Sequence, residues 1–191
     1  MLIVSAATAD GTGLFVVRDG YKVVTQQTLD GSRAGKVSFS NTPAEPLGAG
    51  GDQEAVLALA LDKARIAYAH EAVGSMQTCL ETTVGYLKTR KQFGVPLNTF
   101  QALNFRAADM YVALESARSV ITWATIVLDT ADQGESVDVA AAAAQASLQV
   151  SRAGRHIGKD AIQLHGGIGV TAEYSVGHYT SRLNAIERVI G

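Results

Sequence analysis

Asp52-Gln53-Glu54-Ala55-Val56-Leu57-Ala58-Leu59-Ala60-Leu61-Asp62-Lys63-Ala64-Arg65-Ile66-Ala67-Tyr68-Ala69 opens the part of the chain whose period decides the fold. Within it Ala55, Leu59, Asp62, Ile66 and Ala69 follow one another at spacings of three and four, the spacing of one helix face. Asp52 stands where its carboxylate can cap such a helix. The same period recurs downstream and predicts helices over about 52–90, 99–132, 137–165 and 173–188. Four long helices joined by short links imply an antiparallel four-helix bundle.

Upstream of residue 50 the character changes. Short β-type runs at 2–5, 14–18, 21–25 and 36–39 are separated by Asp10-Gly11, Asp19-Gly20 and Asp30-Gly31, all turn signals. Pro43 and Pro46, then the glycine-rich stretch 48–51, mark a boundary. The expected architecture is therefore mainly α, with a partial antiparallel β-domain over 1–50 followed by a helical-bundle domain over 51–191. Fifty residues are too few for an independent sheet with a sound hydrophobic face.

At 191 residues, 47% hydrophobic, 18% charged and with a net charge of −2, the chain has the composition of a soluble globular protein. No block of like charge points to nucleic acid or to an acidic membrane surface. No apolar run is long enough to span a bilayer, and no secretion signal opens the sequence, so a cytoplasmic location is the default expectation. The single cysteine, Cys79, excludes an internal disulfide and sits at a core-like helical position. Four scattered histidines have no metal-ligand spacing, so no metal is expected.

Two motifs carry more information. The first is Arg90-Lys91-Gln92-Phe93-Gly94, followed by Phe100-Gln101. An arginine at the end of the first helix is favourable against the helix dipole without any ligand, and its planar cation also suits an anionic, planar target. Gly94 permits the turn between helices. The second is Gln163-Leu164-His165-Gly166-Gly167-Ile168-Gly169. It ends the third helix, and its glycines would let a ligand approach the backbone as readily as they would end the helix. It is not the dinucleotide fingerprint of a parallel sheet, because no strand precedes it.

Together these motifs resemble the C-terminal helical domain of the acyl-CoA dehydrogenases. The first fifty residues resemble the latter half of that family's middle β-domain, through Leu29-Asp30-Gly31-Ser32-Arg33-Ala34 and Val37-Ser38-Phe39. The resemblance covers nearly all of this chain but only about the last half of the family's usual length. It implies an FAD-dependent α,β-dehydrogenation of an acyl-CoA thioester, with electrons leaving through an electron-transfer flavoprotein. It assigns Arg90, Phe93 and Gln101 to the flavin dinucleotide. It sets Gln163, Leu164, His165, Gly166 and Gly167 against its adenosine end, usually in the neighbouring subunit, which implies a homo- or hetero-oligomer such as a dimer or tetramer. Asp62 and Arg65 match an Asp-x-x-Arg that lies near the bound thioester in the family, and they also have the spacing of a helix-surface ion pair. Tyr86 and Tyr111 are expected to pack.

The same resemblance exposes a gap. The family's reaction needs a carboxylate to take the proton from the carbon beside the thioester carbonyl. In most members the glutamate falls where Ile190 stands, within Val189-Ile190-Gly191, and in a minority where Ala64 stands. Neither side chain can carry a proton. Glu187, one helical turn before Ile190, reads as an exposed residue at a helix end. The alternatives are a subunit of a mixed oligomer whose partner supplies the base, a catalytically silent structural or regulatory subunit, and a base not recognised in the sequence.

Overall fold

A computed structural model describes residues 1–190; Gly191, the last residue of the expected helical domain, lies outside them. The chain divides into two compact units, Met1–Leu61 and Asp62–Gly191, with the division inside the first helix.

The first unit is built from hairpins. Strands β1 (Leu2–Thr8) and β2 (Gly11–Val17) pair antiparallel from Leu2↔Val17 to Thr8↔Gly11. Strands β3 (Tyr21–Gln27) and β4 (Arg33–Phe39) form a separate two-stranded ladder, and short β5 (Glu45–Pro46) adds to the free side of β2. The strands run beyond the apolar runs because each antiparallel ladder closes right up to its turn. In the β3–β4 turn Asp30 accepts hydrogen bonds from the Ser32 N–H (3.2 Å), the Ser32 hydroxyl (3.0 Å) and the Thr28 hydroxyl. Val17 is the one strand hydrophobe that is fully buried; Ile3, Val23, Val24 and Phe39 are exposed. Helix α1 (Glu54–Thr89) begins two residues after Asp52, whose carboxylate accepts from the Glu54 N–H (3.2 Å) and the Thr12 N–H (3.0 Å). Asp52 thus serves the helix start and β2 together. The expected apolar face does not hold over the first turns of α1: Leu59, like Val56 and Leu61, is exposed, and the buried face starts at Asp62 and Ile66.

The second unit is the bundle. After α1 come a two-residue hairpin of β6 (Lys91–Gln92) and β7 (Val95–Pro96), then α2 (Gln101–Asp132), α3 (Val139–His165) and α4 (Ser175–Ile190). Helices α1 and α2 run antiparallel in steps of seven residues: Lys63 meets Asp132, His70 meets Thr125, and Gln77 meets Arg118. Met76, Leu87, Met110, Ile121, Ile157 and Ile186 fill the core. On α3 small residues let α4 come close: a Cβ on Gly154 would touch Leu183 at 3.5 Å, and one on Gly158 would crowd Thr180 at 3.1 Å. Asp138 caps α3 by accepting from the Ala141 N–H at 2.9 Å. Cys79 is fully buried, and burial pushes its thiol up to about 11, so it is an inert core residue. Tyr111, expected to pack, is exposed on α2. Among the described residues no helix is long and apolar enough to cross a membrane.

Candidate functional site

At one end of the bundle the close of α1, the start of α2 and the close of α3 surround an open cleft of about 530 Å³. Arg90 enters it from the residue after α1, held by its own backbone: its N–H donates to the Tyr86 carbonyl (2.8 Å) and its carbonyl accepts from the Leu97 N–H (2.9 Å). No carboxylate pairs with the Arg90 guanidinium among the described residues, leaving a cation available to a ligand. Gln163, Leu164, His165, Gly166 and Gly167 line the opposite wall. The two sequence motifs therefore meet on one surface of a single chain.

The three glycines of the second motif have different reasons to be glycine. Gly166 ends α3 with φ +64°, a left-handed conformation that side chains disfavour. A Cβ on Gly169 would lie 2.9 Å from the Ile162 carbonyl and 3.0 Å from the His165 Cβ, so its smallness serves internal packing. A Cβ on Gly167 would meet nothing within 4 Å. Nothing among the described residues requires a glycine there, and the space beside it is open for a ligand.

His165 forms the back of this wall. Its Nδ1 lies 2.7 Å from the Ala161 carbonyl, which assigns the proton to Nδ1 and leaves Nε2 a bare acceptor. Nε2 is buried and has no partner among the described residues. The ring lies between Tyr86 (centroids 4.6 Å apart) and Tyr174 (4.9 Å), tilted against both, and burial lowers the imidazole pKa, so it is neutral at pH 7.

Phe93 and Gln101 do not line the cleft. Gly94 turns a hairpin, not a simple helix link: Phe93 (φ +54°) and Gly94 (φ +81°) are the two central residues of a mirror-image β-turn between β6 and β7. A bulky side chain in that conformation is strained, yet Phe93 is 90% exposed, its ring edge-to-face with Phe100 at a centroid distance of 6.1 Å. Gln101 is exposed at the first position of α2.

Arg106, Leu97 and Leu103, which lie outside both motifs, also line the cleft; Gln92 and Ile168 line it from within the motifs though neither was a candidate contact, and Tyr86, expected only to pack, joins them. Arg106 had no visible signal, because its partner Asp160 is 54 residues away on another helix.

The other candidates lie at the far end of the bundle. Asp62 is nearly buried, and its carboxylate accepts from Arg65 Nη1 at 2.8 Å. Counting about 1.5 Å per helical residue, Asp62 and Arg90 stand roughly 40 Å apart. Ala64 is exposed next to this pair, and Ile190 is buried near the end of α4. Arg182 pairs with Glu71; following α4 onward and α1 backward from that pair brings Ile190 and Ala64 to the same end of the bundle. Glu187 is engaged in an ion pair with Arg155.

The profile of the acyl-CoA dehydrogenase C-terminal domain matches residues 55–188. Acyl-CoA dehydrogenase IpdE2 of Mycolicibacterium smegmatis is 36% identical over 130 residues, covering 68% of this chain and 39% of that protein. Among solved structures, a steroid acyl-CoA dehydrogenase variant, Tcur3481-Tcur3483, superposes with a TM-score of 0.87 at 33% identity, covering 99% of this chain and 50% of that one. The ChsE4-ChsE5 complex from Mycobacterium tuberculosis superposes with a TM-score of 0.86 at 25% identity, covering 99% and 51%. The chain thus spans about two fifths of the curated relative and half of these solved chains. With the bundle, the motif-lined cleft and this match over 55–188, the chain belongs to the acyl-CoA dehydrogenase family.

Proposed function

We propose that this chain is an acyl-CoA dehydrogenase subunit that holds the adenosine diphosphate end of FAD and relies on a partner subunit for the catalytic base. The residues fit such a group: an unpaired Arg90 for the diphosphate, open space at Gly167, and Gln163 and Gly166 at the edge of the same cleft. Bound FAD would supply the hydride acceptor for oxidation of the thioester's α,β carbons. Electrons would pass on to an electron-transfer flavoprotein.

The observation that carries this reading is the separation of the two candidate sites. Asp62 and Arg65, the residues proposed to flank the acyl-CoA, lie roughly 40 Å along α1 from Arg90. That is farther than an extended flavin dinucleotide reaches. A cofactor seated in this cleft by its adenosine end would therefore present its ring to a neighbouring subunit, so the active unit is an oligomer, homomeric or mixed. The naming of a two-protein complex among the similar structures supports the mixed form, and the steroid variant supports a bulky acyl group.

Ala64 and Ile190 favour a chain without its own base, since the two positions where the family holds it lie toward the same end of the bundle and neither is acidic. Glu187 is already committed to Arg155. The test is flavin reduction by acyl-CoA in the assembled protein. The native chain without a basic partner should show none, and Ala64→Glu should raise the rate about a hundredfold to ten-thousandfold. Ala64 is the better position for this test, because a carboxylate at buried Ile190 would carry a desolvation cost. Turnover by the native chain that Glu187→Gln abolishes would make Glu187 the base and overturn the reading. A catalytically silent assembly subunit is distinguished by flavin content: Arg90→Ala should lose FAD far more than Lys88→Ala, whereas a silent subunit would hold none in either form.

A further inference from the structure

We propose that Arg106 is a second phosphate-binding residue of the cleft, presented there by Asp160, so that the cleft selects an adenylate bearing a diphosphate over the uncharged nucleoside. This rests on the reading of the cleft as a nucleotide site.

Arg106 projects from the second turn of α2 and lines the same cleft as Arg90. Asp160 of α3 accepts from Arg106 Nη2 at 2.5 Å and from Nε at 3.4 Å. The Asp160 side chain is 14% exposed and that of Arg106 39%, so the carboxylate sits behind and the guanidinium in front. One edge of the guanidinium is thereby occupied, and its remaining Nη1 meets no protein acceptor among the described residues. A five-donor cation held by one edge can offer the other to a phosphate oxygen without first paying to order a flexible side chain. The hydrogen bond to Asp160 also raises the Arg106 pKa, which keeps the group cationic.

The cleft's own electrostatics place a phosphate on this side. Its opposite wall is the C-terminus of α3, where the aligned peptide dipoles leave partial negative charge that disfavours an anion. Arg90 and Arg106 are the cations that line the cleft beside His165, which is neutral. The uncharged adenosine would then lie toward Gln163–Gly167, with the diphosphate between the two guanidinium groups.

The bland alternative is that Arg106 and Asp160 merely clamp α2 to α3. Calorimetric titration of the chain with ADP and with adenosine separates the two. The native chain should bind ADP more tightly than adenosine. Arg106→Met should weaken ADP about tenfold to a hundredfold, the worth of one charge-assisted hydrogen bond, and leave adenosine within about threefold. Asp160→Asn should shift ADP in the same direction by less, and Asp160→Glu should restore it, with the thermal midpoint of the helical signal recorded for every variant. If Arg106→Met does not fold, Arg106→Lys carries the test: an ammonium lacks the planar fork that holds Asp160 by one edge and offers the other, so ADP should still weaken while adenosine stays within about threefold. Equal loss of ADP and adenosine, or no loss of either, overturns the inference and leaves the nucleotide site standing. A native chain that binds both equally does the same. A native chain that binds neither removes the nucleotide reading and the inference with it.

Discussion

The helical unit and the strand unit of this chain are built from similar apolar fractions of sequence yet bury them very differently. In the bundle, Met76, Met110, Ile121 and Ile157 are almost completely inaccessible, and small residues on α3 let neighbouring helices interlock. In the strands, Val17 alone reaches that state, while Val24 of β3 is 61% exposed. The lesson is about geometry. A bundle closes on itself, because each of its helices can turn its apolar stripe inward, whereas a two- or three-stranded ladder has two faces and buries neither without a further layer. Stability and internal function should therefore be concentrated in the bundle.

The largest expected effect breaks the comparison where it is strongest. Ile157→Ala should destabilise the chain by about 2–5 kcal/mol, a cavity that close-packed helices cannot collapse to fill. Val24→Thr, on the open ladder, should change stability by less than about 0.5 kcal/mol. Denaturant melts of the two variants, followed by the helical signal, check both; equal costs would mean that the strand unit is as well packed as the bundle.

Next in size is a contrast within one motif. Gly169→Ala forces a methyl against the Ile162 carbonyl and should cost about 1–3 kcal/mol. Gly167→Ala meets open space and should leave the thermal midpoint unchanged while reducing the FAD retained by the assembled protein. A Gly167→Ala protein with native flavin content would show that the space beside Gly167 is not the ligand's.

A pH effect follows from His165. The unfolded imidazole titrates near about 6.5, and burial holds the folded one lower. Below about pH 6.5 the unfolded chain takes up a proton that the folded chain resists, so stability falls as pH drops from 7 toward 5. His165→Phe keeps a ring between Tyr86 and Tyr174 but cannot titrate, and should flatten that decline in melts at pH 7, 6 and 5. An unchanged slope would place the pH sensitivity elsewhere.

The smallest effect is at the surface of the bundle. Lys63 and Asp132 pair at 2.8 Å with both side chains about half exposed, so Lys63→Ala should cost no more than about 1 kcal/mol, and less in high salt. A chemical melt at two ionic strengths measures it.

Much of this was legible in the chain. The spacing of Asp62, Ile66 and Ala69 belongs to a helix whatever surrounds it, because side chains three and four apart share a face by local geometry. The Asp10-Gly11 and Asp30-Gly31 turns likewise predict hairpins from backbone sterics alone. The buried face of α1 stops short of Leu59, because a period shows which residues share a side, not how far a partner helix reaches along it. The Gln92–Val95 hairpin escaped notice because its central Phe93 adopts a backbone conformation that phenylalanine rarely takes.

The amino-acid sequence by itself determined the four helices, the strands before them, the two motifs and the absence of a carboxylate at positions 64 and 190, since each depends on residue type or short-range spacing. Only the tertiary structure decided that Arg90 and Gln163–Gly167 share one cleft, that Arg106 joins them while held by Asp160, and that Ala64 and Ile190 lie toward the other end of the bundle. Those relations join residues tens of positions apart, and they exist only once the packing of helix on helix fixes which ends come together.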